Sequence, residues 1–163
     1  MVVQDRTHTF DLIVSTVVRD GRAAVGTVLR GDTGTTLRVA GRTFGPIPRV
    51  QASYRALLRA LWNARTLGAR RLRVHTDDAE LVVQLEGQVD VPPELIGLHL
   101  QVRAMLNAYR WSSVEWMAPE ENREATAAAH GALERQPAGS DGDEVEMLPL
   151  WLSSELTAAG SRR

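Results

Sequence analysis

Two β-rich runs open the chain: residues 9–19, TFDLIVSTVVR, and residues 22–30, RAAVGTVLR. The pair Asp20-Gly21 lies between them and predicts a hairpin closed by a two-residue turn. A third run, 35–44, alternates as a strand does, and Pro46 and Pro48 end it. The period then lengthens. Val50, Tyr54, Leu57, Leu58, Leu61 and Trp62 recur at helical spacing until Gly68 stops the run. Residues 71–77, RLRVHTD, return to alternation and predict a buried strand, followed by a short helix over about 79–86. Pro92 and Pro93 open another helix, with Leu95, Leu98, Val102, Leu106 and Tyr109 as its apolar stripe. Residues 112–117 predict a fifth strand. Glu120 to Glu134 predict a last helix, with acids in its first turn where the helix dipole favours them. A meander followed by crossovers implies an α/β fold, a mixed sheet with helices packed on it.

After Gln136 the composition changes. The stretch PAGSDGDE is polar, so residues 136–144 are expected to be a flexible linker. The tail, 145–163, carries a compact apolar motif in Leu148, Leu150, Trp151 and Leu152, expected to dock on the domain, a second copy or a protein partner. The folded domain is therefore expected to occupy residues 1–135.

Composition narrows the function classes. The chain of 163 residues has no cysteine, which excludes disulfides and thiolate metal sites. No run reaches the length of a membrane span, and no signal peptide is evident, so membrane partners are not expected and the cytoplasm is the expected compartment. The net charge of −1 supplies no global field to attract nucleic acid. All 19 basic residues are arginine. A GC-rich genome produces that bias, and arginine also suits bidentate phosphate contacts. Arg55 and Arg59, four apart on one helical face, are either nucleic-acid contacts or a solvated surface.

Three segments carry a family resemblance. RRLRVHTDDAELVVQLEG, VEWMAPEENREATAAAHGAL and QASYRALLRALWNARTLGARRL resemble the fourth strand with its helix, the final strand with its helix, and the first helix of the type 1 ribonuclease H family. The resemblance covers roughly residues 9–134. It implies a five-stranded ribonuclease-H-like sheet, three antiparallel strands then two parallel, flanked by helices. The family hydrolyses the RNA strand of an RNA–DNA hybrid with two divalent cations held by four carboxylates. Two dications about 4 Å apart need several anionic oxygens to offset their repulsion.

Carried over position by position, the resemblance leaves one acid. Asp77 stands at the end of the fourth strand. Ser53, in Ala52-Ser53-Tyr54, stands where the family has Glu, and Thr126, in Asn122-Arg123-Glu124-Ala125-Thr126, stands where it has Asp. A two-residue turn at Asp20-Gly21 pairs Ser15 with Gly26, which puts Ser15 at the remaining acid position. The family's Asn-Pro-Gly turn is absent. Protonated hydroxyls are poor ligands for a hard dication.

Asp77 is thus either a residual metal ligand or the N-cap of the next helix, a role for which Asp78 competes. His75 lies two residues before Asp77, on the same strand face, and is either an acid–base partner or a half-buried, hydrogen-bonded histidine. Asp11 shares a face with Ser15 and could supply the missing acid in a different hairpin register. The expectation is a non-catalytic domain kept for binding nucleic acid (hybrid, DNA or RNA) or protein, with no cofactor. The alternatives are a Mg²⁺- or Mn²⁺-dependent nuclease using Asp77, His75 and Asp11, and an interaction module acting through the tail.

Overall fold

In the computed structural model, which describes residues 8–135 and 145–147, the hairpin forms as its sequence dictates. β1 (Thr9–Arg19) and β2 (Arg22–Arg30) are joined by Asp20 and Gly21, both at positive φ (52° and 73°). Both central residues of a type I′ turn need that conformation, which Asp tolerates and Gly adopts freely. The turn fixes the register, and Ser15 pairs with Gly26. β3 (Thr36–Phe44) completes the antiparallel part. β4 (Arg71–Thr76) pairs parallel with β1, and β5 (Trp111–Trp116) parallel with β4.

A sixth strand extends this five-stranded pattern. β6 (Val145–Met147) pairs antiparallel with the edge of β3, giving the order β5-β4-β1-β2-β3-β6. The linker expected at 136–144 and the motif Leu148, Leu150, Trp151 and Leu152 lie outside the described residues.

Among the described residues, four α-helices cover the sheet: α1 (Arg49–Thr66), α2 (Ala79–Leu85), α3 (Ile96–Ala108) and α4 (Arg123–Arg135). The main core lies on the α1 side, where Leu12, Val14, Val25, Phe44, Leu72 and Val74 meet Tyr54, Leu57 and Leu61. Among the described residues, the opposite face carries α4 alone, whose Ala125, Ala128 and Ala129 sit on Ile13, Val28, Val39 and Ala24. Its small side chains allow close approach. A Cβ placed on Gly26 would lie 1.8 Å from the Ala125 carbonyl oxygen, so glycine is required under the helix. Among the described residues, no helix is long and apolar enough to cross a membrane.

Three expectations are adjusted. The last helix does not start at Glu120. Residues 119–121 form a 3₁₀ turn, and Asn122 breaks it from α4 (φ −116°, ψ 42°). Trp62 is not part of the buried stripe of α1 but is 63% exposed. Asp78, not Asp77, caps α2, its Oδ1 accepting the Leu81 N–H at 3.3 Å.

Two tyrosines tie the helical layer together. The Tyr54 hydroxyl donates to Gln84 Oε1 at 2.9 Å and meets His99 Nδ1 at 3.1 Å, joining α1, α2 and α3. The Tyr109 hydroxyl donates to the Leu61 carbonyl. Burial, and for Tyr54 the nearby Asp78 and Glu80 carboxylates, pushes each phenol up to about 12.

Gly26→Ala is expected to destabilise the domain by about 3 kcal/mol or more, because helix backbone, not a flexible side chain, blocks the new methyl. Thermal unfolding checks this, and a change within about 0.5 kcal/mol, the range of neutral surface substitutions, would contradict it. A second outcome concerns alkali. The folded tyrosines keep protons that the unfolded chain loses above pH 10, so their contribution is full below pH 10 and lost as the pH rises through about 12. The urea midpoint should fall over that window, and the double variant Tyr54→Phe, Tyr109→Phe should fall less steeply.

Candidate functional site

β4 ends beside β1, so the residues after Thr76 emerge next to Ser15 and Thr16. The Asp77 side chain is 3% exposed. Its Oδ2 accepts the Ser15 hydroxyl at 2.7 Å, and its Oδ1 accepts the Thr16 N–H at 3.0 Å. Ser15 Oγ in turn lies 2.9 Å from Thr126 Oγ1 on α4. Three of the four positions carried over from the family, Ser15, Asp77 and Thr126, are therefore joined directly.

Ser53 belongs to a second chain one residue along. Its hydroxyl lies 2.6 Å from Asp78 Oδ2 and 2.7 Å from Thr16 Oγ1. Successive β1 residues point to opposite sheet faces, so Ser15 looks toward α4 and Thr16 toward α1. The adjacent aspartates follow the same division. Asp77 closes the chain from α4 and Asp78 the chain from α1.

Proton counting orders both chains. A hydroxyl has one proton, and a carboxylate only accepts. Ser15 gives its proton to Asp77, so Thr126 must donate to Ser15. Ser53 gives its proton to Asp78, so Thr16 must donate to Ser53. Thr126 also lies 3.0 Å from Asn122 Oδ1, and Asn122 Nδ2 is buried without a partner among the described residues. Turning that amide end for end lets its N–H₂ donate to Thr126, and the chain then runs Asn122, Thr126, Ser15, Asp77 in one direction.

Arg49, in the first turn of α1, closes the site. Its Nε and Nη2 donate to the Thr16 carbonyl at 3.2 and 3.0 Å, and Nη2 lies 3.4 Å from both the Asp77 carbonyl and Asp77 Oδ1. The Arg49 side chain is 43% exposed, so the pair with Asp77 is a positioning contact more than a large source of stability. Sequence reading missed Arg49. Its place four residues before Ser53, one turn away on the same helix face, was the available signal.

His75 and Asp11 do not join this site. They bond to each other, Nε2 to Oδ1 at 2.8 Å, on a stretch of sheet flanked by Arg73 and Glu115. Asp11 pairs with Arg30 of β2 in the observed register, so it does not occupy the first acid position. His75 is half-buried, and its hydrogen-bond partner is Asp11, not Asp77. Glu124, two residues before Thr126, turns to Arg30 at 3.6 Å. Arg55 and Arg59 line an open cleft between α1 and α3 with Leu58, Trp62, Leu98 and Met105. The Arg55 guanidinium stacks 5.0 Å from the Phe44 ring centre.

The sequence profile of the reverse transcriptase-like family matches residues 11–132. Among curated proteins, the bifunctional protein Rv2228c of Mycobacterium tuberculosis is 30% identical over 132 residues, covering 78% of this chain and 36% of its own length. An uncharacterized protein of Mycobacterium bovis, Mb2253c, matches to the same extent. The chain thus spans about a third of the length of the curated relatives it matches. Among solved structures, RNase H1 from the halophilic archaeon Halobacterium salinarum superposes with a TM-score of 0.72 at 27% identity, covering 78% of this chain and 99% of that one. The N-terminal RNase H domain of Rv2228c, solved as a fusion with maltose binding protein, gives 0.68 at 26% identity, covering 78% and 98%. LC11-RNase H1 in complex with an RNA/DNA hybrid shares the fold at a TM-score of 0.69 and 21% identity, over 77% of this chain and 97% of that one. Profile, relatives and topology agree, and the chain belongs to the reverse transcriptase-like, RNase H-like family.

Proposed function

We propose that this domain binds nucleic acid without cleaving it. The observation that carries the reading is the state of Asp77. Its carboxylate is enclosed by the Ser15 hydroxyl, the Thr16 amide and the Arg49 guanidinium, all donors from the chain itself.

The donor set does not fit a pair of divalent cations. Mg²⁺ takes anionic or carbonyl oxygens in near-octahedral geometry, and a neutral hydroxyl brings no charge. At the four family positions one carboxylate stands with three hydroxyls, and Ser15 and Ser53 are fully buried and already hydrogen-bonded. A positive guanidinium beside Asp77 works against adding a dication there. No hydrolytic step through a metal follows from these groups. Nucleic acid is the ligand class supported by family membership and by a fold neighbour solved with an RNA/DNA hybrid. The finer choice among hybrid, DNA and RNA is open to direct titration.

The purified chain, given Mg²⁺ or Mn²⁺, should bind a labelled RNA–DNA hybrid with marked salt dependence and leave it uncut. Turnover that Asp77→Asn abolishes would overturn the reading. Supplying the missing acids makes a sharper test. Ser15→Asp, Ser53→Glu and Thr126→Asp together crowd three more carboxylates against the buried Asp77 and Asp78, where like charges disfavour ionisation. This variant should melt well below the parent in chelator and recover with millimolar Mg²⁺. Equal melting of parent and variant in chelator would contradict the account of the pocket.

A further inference from the structure

We propose a second nucleic-acid contact, a single-strand site on the cleft formed by Trp62, Arg65, Arg70 and Arg110, at the end of the sheet away from Asp77. Arg70 precedes β4 and Asp77 follows it, so the two ends are separated by six strand residues, about 20 Å at roughly 3.3 Å each. The site is therefore distinct from the family position, and the proposal does not depend on what that position does.

The cleft has a volume of about 540 Å³ and lies where the C-terminal end of α1, the turn into β4 and the end of α3 meet. Among the described residues, its walls contain three arginines, a threonine, two alanines, Tyr109 and Trp62, and no acid. Among the described residues, Arg65, Arg70 and Arg110 form no ion pair. The fold holds the cationic loops together. The Arg110 N–H donates to the Arg70 carbonyl at 2.9 Å, and the Tyr109 hydroxyl is bonded to the Leu61 carbonyl behind them. Convergent, exposed guanidiniums held on a fixed backbone match the phosphates of a polyanion.

Trp62 decides which polyanion. Its indole is 63% exposed, where tryptophan normally seeks burial. It also lines the neighbouring cleft that carries Arg55 and Arg59. An aromatic ring between two arginine-lined clefts is the arrangement of a single-strand track, with charge following the backbone and the ring stacking on a base. A duplex keeps its base faces covered, so an unpaired strand is the ligand that uses both features. An acidic peptide would use the arginines and leave the indole unused.

The test is a fluorescence-anisotropy titration of the full chain with a labelled oligothymidylate at several salt concentrations, beside the RNA–DNA hybrid. Removing three phosphate contacts with Arg65→Gln, Arg70→Gln and Arg110→Gln should flatten the log–log salt slope by about 2, at roughly 0.7 per phosphate on a single strand. Trp62→Ala should weaken oligothymidylate binding about tenfold with the slope unchanged. All four side chains are exposed, so the parent melting temperature should be kept, and that confirms folding. Oligothymidylate binding that neither variant alters would overturn the proposal, as would its displacement by polyglutamate with equal potency from parent and Trp62→Ala. The two assignments fail separately. Hybrid binding without oligothymidylate binding removes this site, whereas oligothymidylate binding without hybrid binding removes the hybrid as a ligand of the family position and leaves this site standing.

Discussion

The Asp77 carboxylate, seated in the crevice between β1, α1 and α4, is the group around which the polar interior is organised. A buried carboxylate is tolerated only when donors surround it. Here the donors arrive from β1 as Ser15 and the Thr16 amide, and from α1 as Arg49. Asp78 repeats the arrangement on the other sheet face, taking the Ser53 hydroxyl while capping α2. Two one-way hydroxyl chains thus end on neighbouring acids and fasten both helical layers to the end of β4. Removing any member strands a buried donor or acceptor, at about 1–3 kcal/mol each.

The same geometry underlies the proposal that the domain binds without cleaving. A two-metal site relies on carboxylates whose mutual repulsion only the cations relieve. With hydroxyls at three positions the repulsion is gone, the pocket closes on its own hydrogen bonds, and an arginine supplies the positive charge. Shape and topology survive because they depend on other groups: the Asp20-Gly21 turn, the bare Gly26 under α4, and the apolar layer under α1. Ser15 joins Asp77 and Thr126 at the end of β4.

Much of this was legible in the residues. The Asp-Gly turn set the hairpin register, and with it the pairing of Ser15 with Gly26. Local motifs pointed to Ser53, Asp77 and Thr126, and in the structure Thr126 reaches Asp77 through Ser15 while Ser53 meets Asp78. Contacts between elements distant in sequence were harder to read. That Asp78 and not Asp77 would cap α2 depended on Ser15 and Thr16 claiming Asp77 from sixty residues away. Arg49 carries no local signature of its role, since its acceptors lie on β1 and past β4. Trp62 followed helical spacing but fell where α3 does not reach across to cover it, so periodicity alone assigned it to the core. The strand at 145–147 was too short to show a period, and it pairs through backbone groups that any sequence carries.

If internal donors stand where cations would, the folded chain gains nothing from a cation, and linkage tests this most directly. A cation that binds the folded chain must raise its stability as concentration rises. Thermal unfolding of the unmodified chain should therefore be the same in chelator and in millimolar Mg²⁺ or Mn²⁺ at constant ionic strength. A metal-dependent rise in melting temperature that Asp77→Asn removes would contradict the claim.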